Sequence, residues 1–135
     1  MEVILVHKII IIEDNTKNLE LFKAVLGMIP NIEILTATKG KEGLKLIKSN
    51  EPDIILLDIQ LPDMNGMKIC KELRELDNFK NTPIIAVTSF AMKGDRERIL
   101  ETGFTDYIAK PLNILEFRKK IEGLIEIEIS PIIRN

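Results

Sequence analysis

Two kinds of segment alternate along this chain, and that alternation limits its fold more than any other property of the sequence. Short apolar runs rich in Ile and Val occupy residues 8–12, 32–37, 53–57, 83–88 and 107–109, all of strand length. Between them apolar residues return at helical intervals. Leu19, Phe22, Val25, Leu26 and Ile29 form one such stripe, and Leu44, Leu46 and Ile47 form a second that Pro52 stops. Further helices are predicted over 66–76, over 91–102 with Gly103 as the stop, and over 113–125 just after Pro111. Parallel strands need crossover connections, and right-handed crossovers lay helices on both faces of the sheet. Continuous apolar strands such as 54–57 fit burial on both faces. The expected fold class is therefore α/β, a doubly wound parallel sheet of five strands. Its ligand site belongs at the carboxyl ends of the strands, beside the point where strand order reverses.

The size and apolar content suit one domain: 135 residues, 45% of them hydrophobic, with no internal repeat or linker. We expect that domain to span 1–135, with its core at 8–125 and short apolar extensions at both ends. Charged residues reach 30% but nearly cancel, to a formal −2, so the basic footprint of a nucleic-acid binder is missing. Cys70 cannot form an internal disulfide, and residues 1–6 are too short for a leader or a membrane span. A cytoplasmic protein without membrane insertion is expected.

Polar residues mark the carboxyl ends of four of the five strands. Glu13 and Asp14 follow the first, Asp58 the third, Thr88 closes the fourth and Lys110 follows the fifth. Taken singly, each has a bland reading: Asp58 as a cap or turn former, Thr88 as a strand end, Lys110 as a solvated charge. Their joint occurrence in this order is far more specific. Three carboxylates brought together repel one another and stay ionised only if a cation sits among them. Mg²⁺ suits such a site, being a hard ion that uses one or two carboxylates, keeps waters and bridges to phosphate. Lys110 adds a second positive charge and Thr88 a hydroxyl donor.

The stretches Ile12-Glu13-Asp14-Asn15, Leu56 to Gly66 (LLDIQLPDMNG), Ala86-Val87-Thr88-Ser89-Phe90 and Tyr107-Ile108-Ala109-Lys110-Pro111 resemble the response-regulator receiver family of two-component signalling. The resemblance covers residues 8–125. It is nearest to single-domain receivers, including cell-cycle regulators that share Ala91-Met92-Lys93-Gly94-Asp95. It implies a flavodoxin-like (βα)5 fold with strand order 2-1-3-4-5, and a phosphoprotein in which Asp58 becomes a phosphoaspartate. It further implies that Glu13, Asp14, Asp58 and the backbone carbonyl of Gln60 hold Mg²⁺, that Thr88 hydrogen-bonds the phosphoryl group, and that Lys110 pairs with it. Tyr107 would be the aromatic that turns when Thr88 moves, and the Lys110–Pro111 bond would be cis. Many relatives carry Asp where Glu13 stands, so the longer side chain is expected to reach the metal through water. The implied partners are a sensor histidine kinase or histidine phosphotransfer protein, a downstream protein target in a phosphorelay, and a second copy of the chain as a candidate homodimer.

An aspartate-nucleophile phosphatase would place a second acid two residues after Asp58 to protonate the leaving group, but Gln60 stands there, which favours a switch over an enzyme. A flavin module would need a Ser/Thr/Gly-rich loop after the first strand and stacking aromatics, where this chain has Glu13-Asp14-Asn15, no Trp and one Tyr. A pseudo-receiver that acts only by interaction has no need of so complete a polar set.

Several smaller expectations follow from the residues. Cys70 packs in the core; Met64 and Met67 pack the acidic loop or form a partner surface. His7 precedes the first strand as an exposed residue. The 91–102 helix has only Met92, Ile99 and Leu100 as apolar anchors and is the natural moving part. The Ile/Glu alternation over 125–129 and the apolar 1–6 segment suggest extended structure added at one or both ends. With no output domain after Ile125, signalling is expected through protein contacts.

Overall fold

The computed structural model describes residues 5–89 and 92–133, and the side chains of these except for Lys93 and residues 126–133. Its elements run β1 (His7–Ile12), α1 (Thr16–Leu26), β2 (Ile32–Ala37), α2 (Gly40–Asn50), β3 (Ile54–Asp58) and α3 (Gly66–Arg74). A 3-10 turn (Asp77–Phe79), β4 (Ile84–Thr88), α4 (Lys93–Thr102), β5 (Asp106–Ala109) and α5 (Ile114–Ile133) follow. All strand pairs are parallel, in the order β2-β1-β3-β4-β5. The predicted fold class is the observed one.

Period-two alternation within the central strands sorts side chains into two cores. Ile9, Ile11, Ile54, Leu56, Ile85 and Val87 face one side, where Phe22 of α1 and Phe117 and Ile121 of α5 cover them. Ile10, Ile12, Ile55, Leu57, Ile84 and Ala86 face the other, under Ile47 of α2, Ile69 and Leu73 of α3, and Ile99 of α4. Phe22 and Phe117 meet edge to face, with ring centroids 5.1 Å apart, and so join the first and last helices. Each buried Ile, Leu or Val side chain here contributes roughly 1.5–3 kcal/mol over an exposed one, which is why uninterrupted Ile and Leu runs end up central. The edge strand β2 is only partly buried and leaves Glu33 exposed.

Three expectations need correction. His7 is not exposed and does not precede the sheet: it is the first residue of β1 and 7% accessible. Its N–H donates to the Asn31 carbonyl at 2.9 Å, and its pairing with Ile32 starts the β1–β2 ladder one residue earlier than expected. Of the three apolar anchors expected for α4, only Ile99 is buried; Met92 is 78% and Leu100 48% exposed. At the carboxyl end α5 continues as helix to Ile133, and no strand forms over 125–129. A helix already nucleated extends by one hydrogen bond per residue, whereas leaving it would strand its last carbonyls, so a short Ile/Glu alternation does not override it. At the other end, residues 1–4 lie outside those described, and Leu5 and Val6 are exposed and outside the sheet.

Candidate phosphoacceptor and metal site

Because all strands run parallel, their carboxyl ends gather at one edge, and the residues singled out from sequence gather with them. The register pairs Asp58 with Val87 and Thr88 with Ala109, so Asp58, Thr88 and Lys110 emerge on three adjacent strands. The Lys110 N–H donates to the Thr88 carbonyl at 2.8 Å, carrying the β4–β5 ladder one residue past the strand; the Lys110–Pro111 bond beyond it is cis, as expected. Glu13 directly follows β1 and holds the Ala37 carbonyl at 3.0 Å through its N–H. Glu13, Asp58 and Thr88 are buried, whereas Asp14 is exposed at the mouth.

Carboxylate oxygens of Glu13, Asp14 and Asp58 all lie within 4.8 Å of one another. The Lys110 ammonium reaches into this group, donating to Asp58 Oδ2 at 2.9 Å and lying 3.1 Å from Glu13 Oε1. Glu13 Oε1 has an ion-pair partner there but no aligned hydrogen bond, so a buried anionic oxygen is left under-coordinated. Burial pushes the Glu13 carboxyl up to about 7, helped by its hydrogen bond with Asp58 and by that residue's charge, and Lys110 only partly offsets this. Burial pulls the Lys110 ammonium down, but the hydrogen bonds and charges of Asp58 and Glu13 outweigh it and leave Lys110 above its ordinary value. With all three acids ionised, three carboxylates against one ammonium leave two negative charges, the complement of a divalent cation. The all-oxygen donor set and the under-coordinated Glu13 oxygen fit a hard ion such as Mg²⁺.

The β3–α3 loop closes the site. Gln60 donates its N–H to Asp58 Oδ1 at 2.9 Å, and the Gly66 N–H reaches the Ile59 carbonyl at 2.7 Å, folding the loop back on itself. Gly66 is required there: a Cβ would stand 2.5 Å from the Asp58 carbonyl oxygen. Beside Asp58 a cavity of about 360 Å³ opens between the loop and α4, lined among others by Ile59, Gln60, Thr88 and Ile99.

Tyr107 does not join the carboxylate group. It is half-buried on β5, with the Arg96 guanidinium 5.3 Å and the Lys120 ammonium 5.4 Å from its ring centre. Cys70 is buried, as expected, and burial pushes its thiol up to about 11. Met64 and Met67 pack against the second core. Sequence reasoning missed Arg96 and Lys120, whose pairing with Tyr107 joins separate helices, and Asp63, whose carboxylate accepts from the Gly40 and Lys41 amides. The available signal for Asp63 was Lys39, a residue whose side chain cannot accept a hydrogen bond, standing at the start of α2.

Comparison with known proteins bears on the family and the fold. The polar-differentiation response regulator DivK of Brucella anthropi is 39% identical over 117 residues, spanning 87% of this chain and 94% of the relative. A response regulator receiver domain protein from Methanospirillum hungatei superposes with a TM-score of 0.81 at 31% identity, over 93% of this chain and 99% of that one. The receiver domain of a sensor histidine kinase from Pseudomonas aeruginosa, crystallised with a magnesium ion coordinated in its active site cleft, gives 0.80 at 30% identity, over 90% and 98%. Among the described residues no helix is long and apolar enough to cross a membrane. The family model for the response regulator receiver domain matches residues 9–122, and the chain belongs to that family.

Proposed function

We propose that this chain is a phosphoaccepting switch: Asp58 takes a phosphoryl group from a phosphohistidine on a sensor kinase or phosphotransfer protein, and the modified domain changes its protein contacts. The observation that carries this reading is the buried Asp58 carboxylate held 2.9 Å from the Lys110 ammonium, beside a second buried acid whose oxygen lacks full coordination. A buried carboxylate so oriented is a competent nucleophile. One Asp58 oxygen forms the new P–O bond as the P–N bond to the donor imidazole breaks, and the bonding pair leaves with the imidazole nitrogen. Lys110 pairs with the negative charge on the transferred group, and the Thr88 hydroxyl donates a hydrogen bond to it.

Glu13, Asp14, Asp58 and the Gln60 carbonyl would hold Mg²⁺, as the Pseudomonas receiver holds magnesium in its own cleft. When bound, the ion supplies charge neutralisation for the incoming phosphoryl oxygens. Gln60, an exposed amide two residues after Asp58, offers no carboxylate to activate water. The phosphoaspartate should therefore persist as a signal rather than turn over, which makes this a switch and not a hydrolytic enzyme.

Phosphorylation adds about −1.5 to −2 charge at the mouth of the sheet, so neighbouring donors must reorganise. Thr88 moves to the phosphoryl group and Tyr107 turns into the space it leaves, remodelling the face of α4, β5 and α5. With Ile99 as its single buried apolar anchor among the described residues, α4 is the element least tied to the core. We place the protein in the cytoplasm, read residues 1–135 as one receiver domain, and assign its output to a protein target or a second copy rather than to nucleic acid. Incubation with acetyl phosphate tests the chemistry. Acid-labile phosphate should appear only with Mg²⁺, and Asp58→Asn should abolish it while leaving the fold intact. Undiminished labelling of that variant would refute the assignment.

A further inference from the structure

Helices α1, α3 and α5 are capped by asparagines of their own. Asn15 accepts from Asn18 N–H at 3.0 Å, Asn65 from Met67 N–H at 2.8 Å, and Asn113 from Glu116 N–H at 3.0 Å. Helix α2 is built differently: Lys39 stands at its N-cap and makes no side-chain hydrogen bond. The first two amides of α2 donate instead to Asp63 in the β3–α3 loop, Gly40 to Oδ1 at 2.7 Å and Lys41 to Oδ2 at 3.0 Å. Both carboxylate oxygens of an exposed residue are thereby spent on a helix that lies 22 and 23 positions away in sequence. The amides of Lys41 and Gly40 hold the Asp63 carboxyl below the usual carboxylate range.

The contact is a packed joint as well as a polar one. A Cβ on Gly40 would stand 2.7 Å from Met64 Cγ and 3.0 Å from Ile69 Cδ1, so the loop tip rests directly on the first residue of α2. This same loop leads back to the reacting group. Its inner end is pinned by the Gln60 N–H on Asp58 Oδ1 and by the Gly66 N–H on the Ile59 carbonyl. Its outer end is pinned by Asp63. Gln60, whose carbonyl is assigned to the cation, is thus held at the inner end of a loop whose tip Asp63 fixes.

We propose that Asp63 is a positioning residue for the phosphoacceptor site: by clamping the tip of the β3–α3 loop to the start of α2, it fixes Gln60 and so sets the affinity of the acid cluster for a divalent cation. This inference rests on the function proposed above. A carboxylate that only capped α2 would affect helix stability alone; one that also positions the loop must affect metal binding at fixed stability.

Calorimetric titration of magnesium into the full-length chain separates these roles. Asp63→Ala should weaken magnesium affinity roughly three- to tenfold, somewhat less than the loss of a group bonded directly to a metal ligand. Amide exchange at Gly40 and Lys41 should accelerate in that variant. Adding Lys39→Ser gives α2 a local hydroxyl cap, which should restore the melting temperature and leave magnesium affinity weak. The proposal is overturned if Asp63→Ala binds magnesium as tightly as wild type, or if Lys39→Ser restores affinity together with stability. Should the serine fail to restore stability, Asp63→Asn decides, since it keeps one acceptor oxygen. Affinity between wild type and Asp63→Ala supports the proposal, and affinity equal to either overturns it. Wild-type protein that takes up no magnesium would refute the functional reading itself.

Discussion

Replacing Glu13 by glutamine should remove a pH dependence of stability that the wild-type chain carries in the absence of metal. The Glu13 carboxyl ionises near 7 in the folded chain, against an ordinary 4.5. Between those values the native state holds a proton that the unfolded chain has released, so unfolding releases that proton and stability falls as pH rises. Below 4.5 both states are protonated and above 7 both are ionised, so the whole effect falls within this window. At about 1.4 kcal/mol per unit, the fully ionised carboxylate would cost the native state roughly 3 kcal/mol. Water entering past the exposed Asp14 and the partly exposed Lys110 screens the site, and about 1–2 kcal/mol is the realistic expectation. Urea unfolding followed by circular dichroism in EDTA, at pH 5 and pH 8, would show this as a midpoint lower by roughly 1 M at pH 8. Glu13→Gln preserves size and removes the ionisation, so its midpoint should change less between the two pH values by that amount. Magnesium favours the ionised acids and should flatten the wild-type dependence. Equal pH dependence in wild type and variant would refute the crowding of Glu13 on which this argument stands.

Gly66→Ala should destabilise the fold by about 2–4 kcal/mol, because its Cβ would press on the Asp58 carbonyl and Ile59 Cα, both backbone atoms with little freedom to yield; an unchanged urea midpoint would show that the loop can move aside. Thr88→Ala should still take phosphate from acetyl phosphate but lose the effect of phosphorylation on partner affinity, since only a contact that differs between states can shift an equilibrium; a full affinity response in the variant would break the link to Tyr107. Ile99→Ala should cost about 2–4 kcal/mol and, before that, speed amide exchange in α4 far more than in β1 or β3; a uniform rise in exchange would mean that α4 opens only with the whole domain.

What the sequence disclosed and what it concealed divide along the range of the interactions involved. The strands were legible because Ile9 to Ile12 and Ile54 to Leu57 are apolar without interruption, a pattern that burial on both faces demands. Alignment of Glu13, Asp58, Thr88 and Lys110 at one edge followed from parallel order alone. His7 enters β1 with its N–H on the Asn31 carbonyl, and strand ends shift by a residue for reasons that periodicity does not register. Helical spacing placed Met92 and Leu100 with Ile99, but a stripe does not say how closely its helix will seat, and only Ile99 meets the core. The Asp63 clamp joins segments far apart in sequence; the non-capping Lys39 hints that α2 needs an outside acceptor, but local propensity does not say which residue supplies it. The Ile/Glu alternation over 125–129 does not reveal the continuation of α5, because five alternating residues are too few to separate the two periods.

The ladder that holds Asp58, Thr88 and Lys110 in step belongs to the sheet, and among the described residues none of α4 takes part in it. Heredity can therefore treat the two halves of this molecule separately. On the proposed function, substitutions on the outward face of α4 would change which protein meets that face while leaving the register of the polar set in place. On that same reading, a duplicated copy could meet a new partner through α4 first, and change its phosphodonor only later through residues nearer the mouth of the sheet.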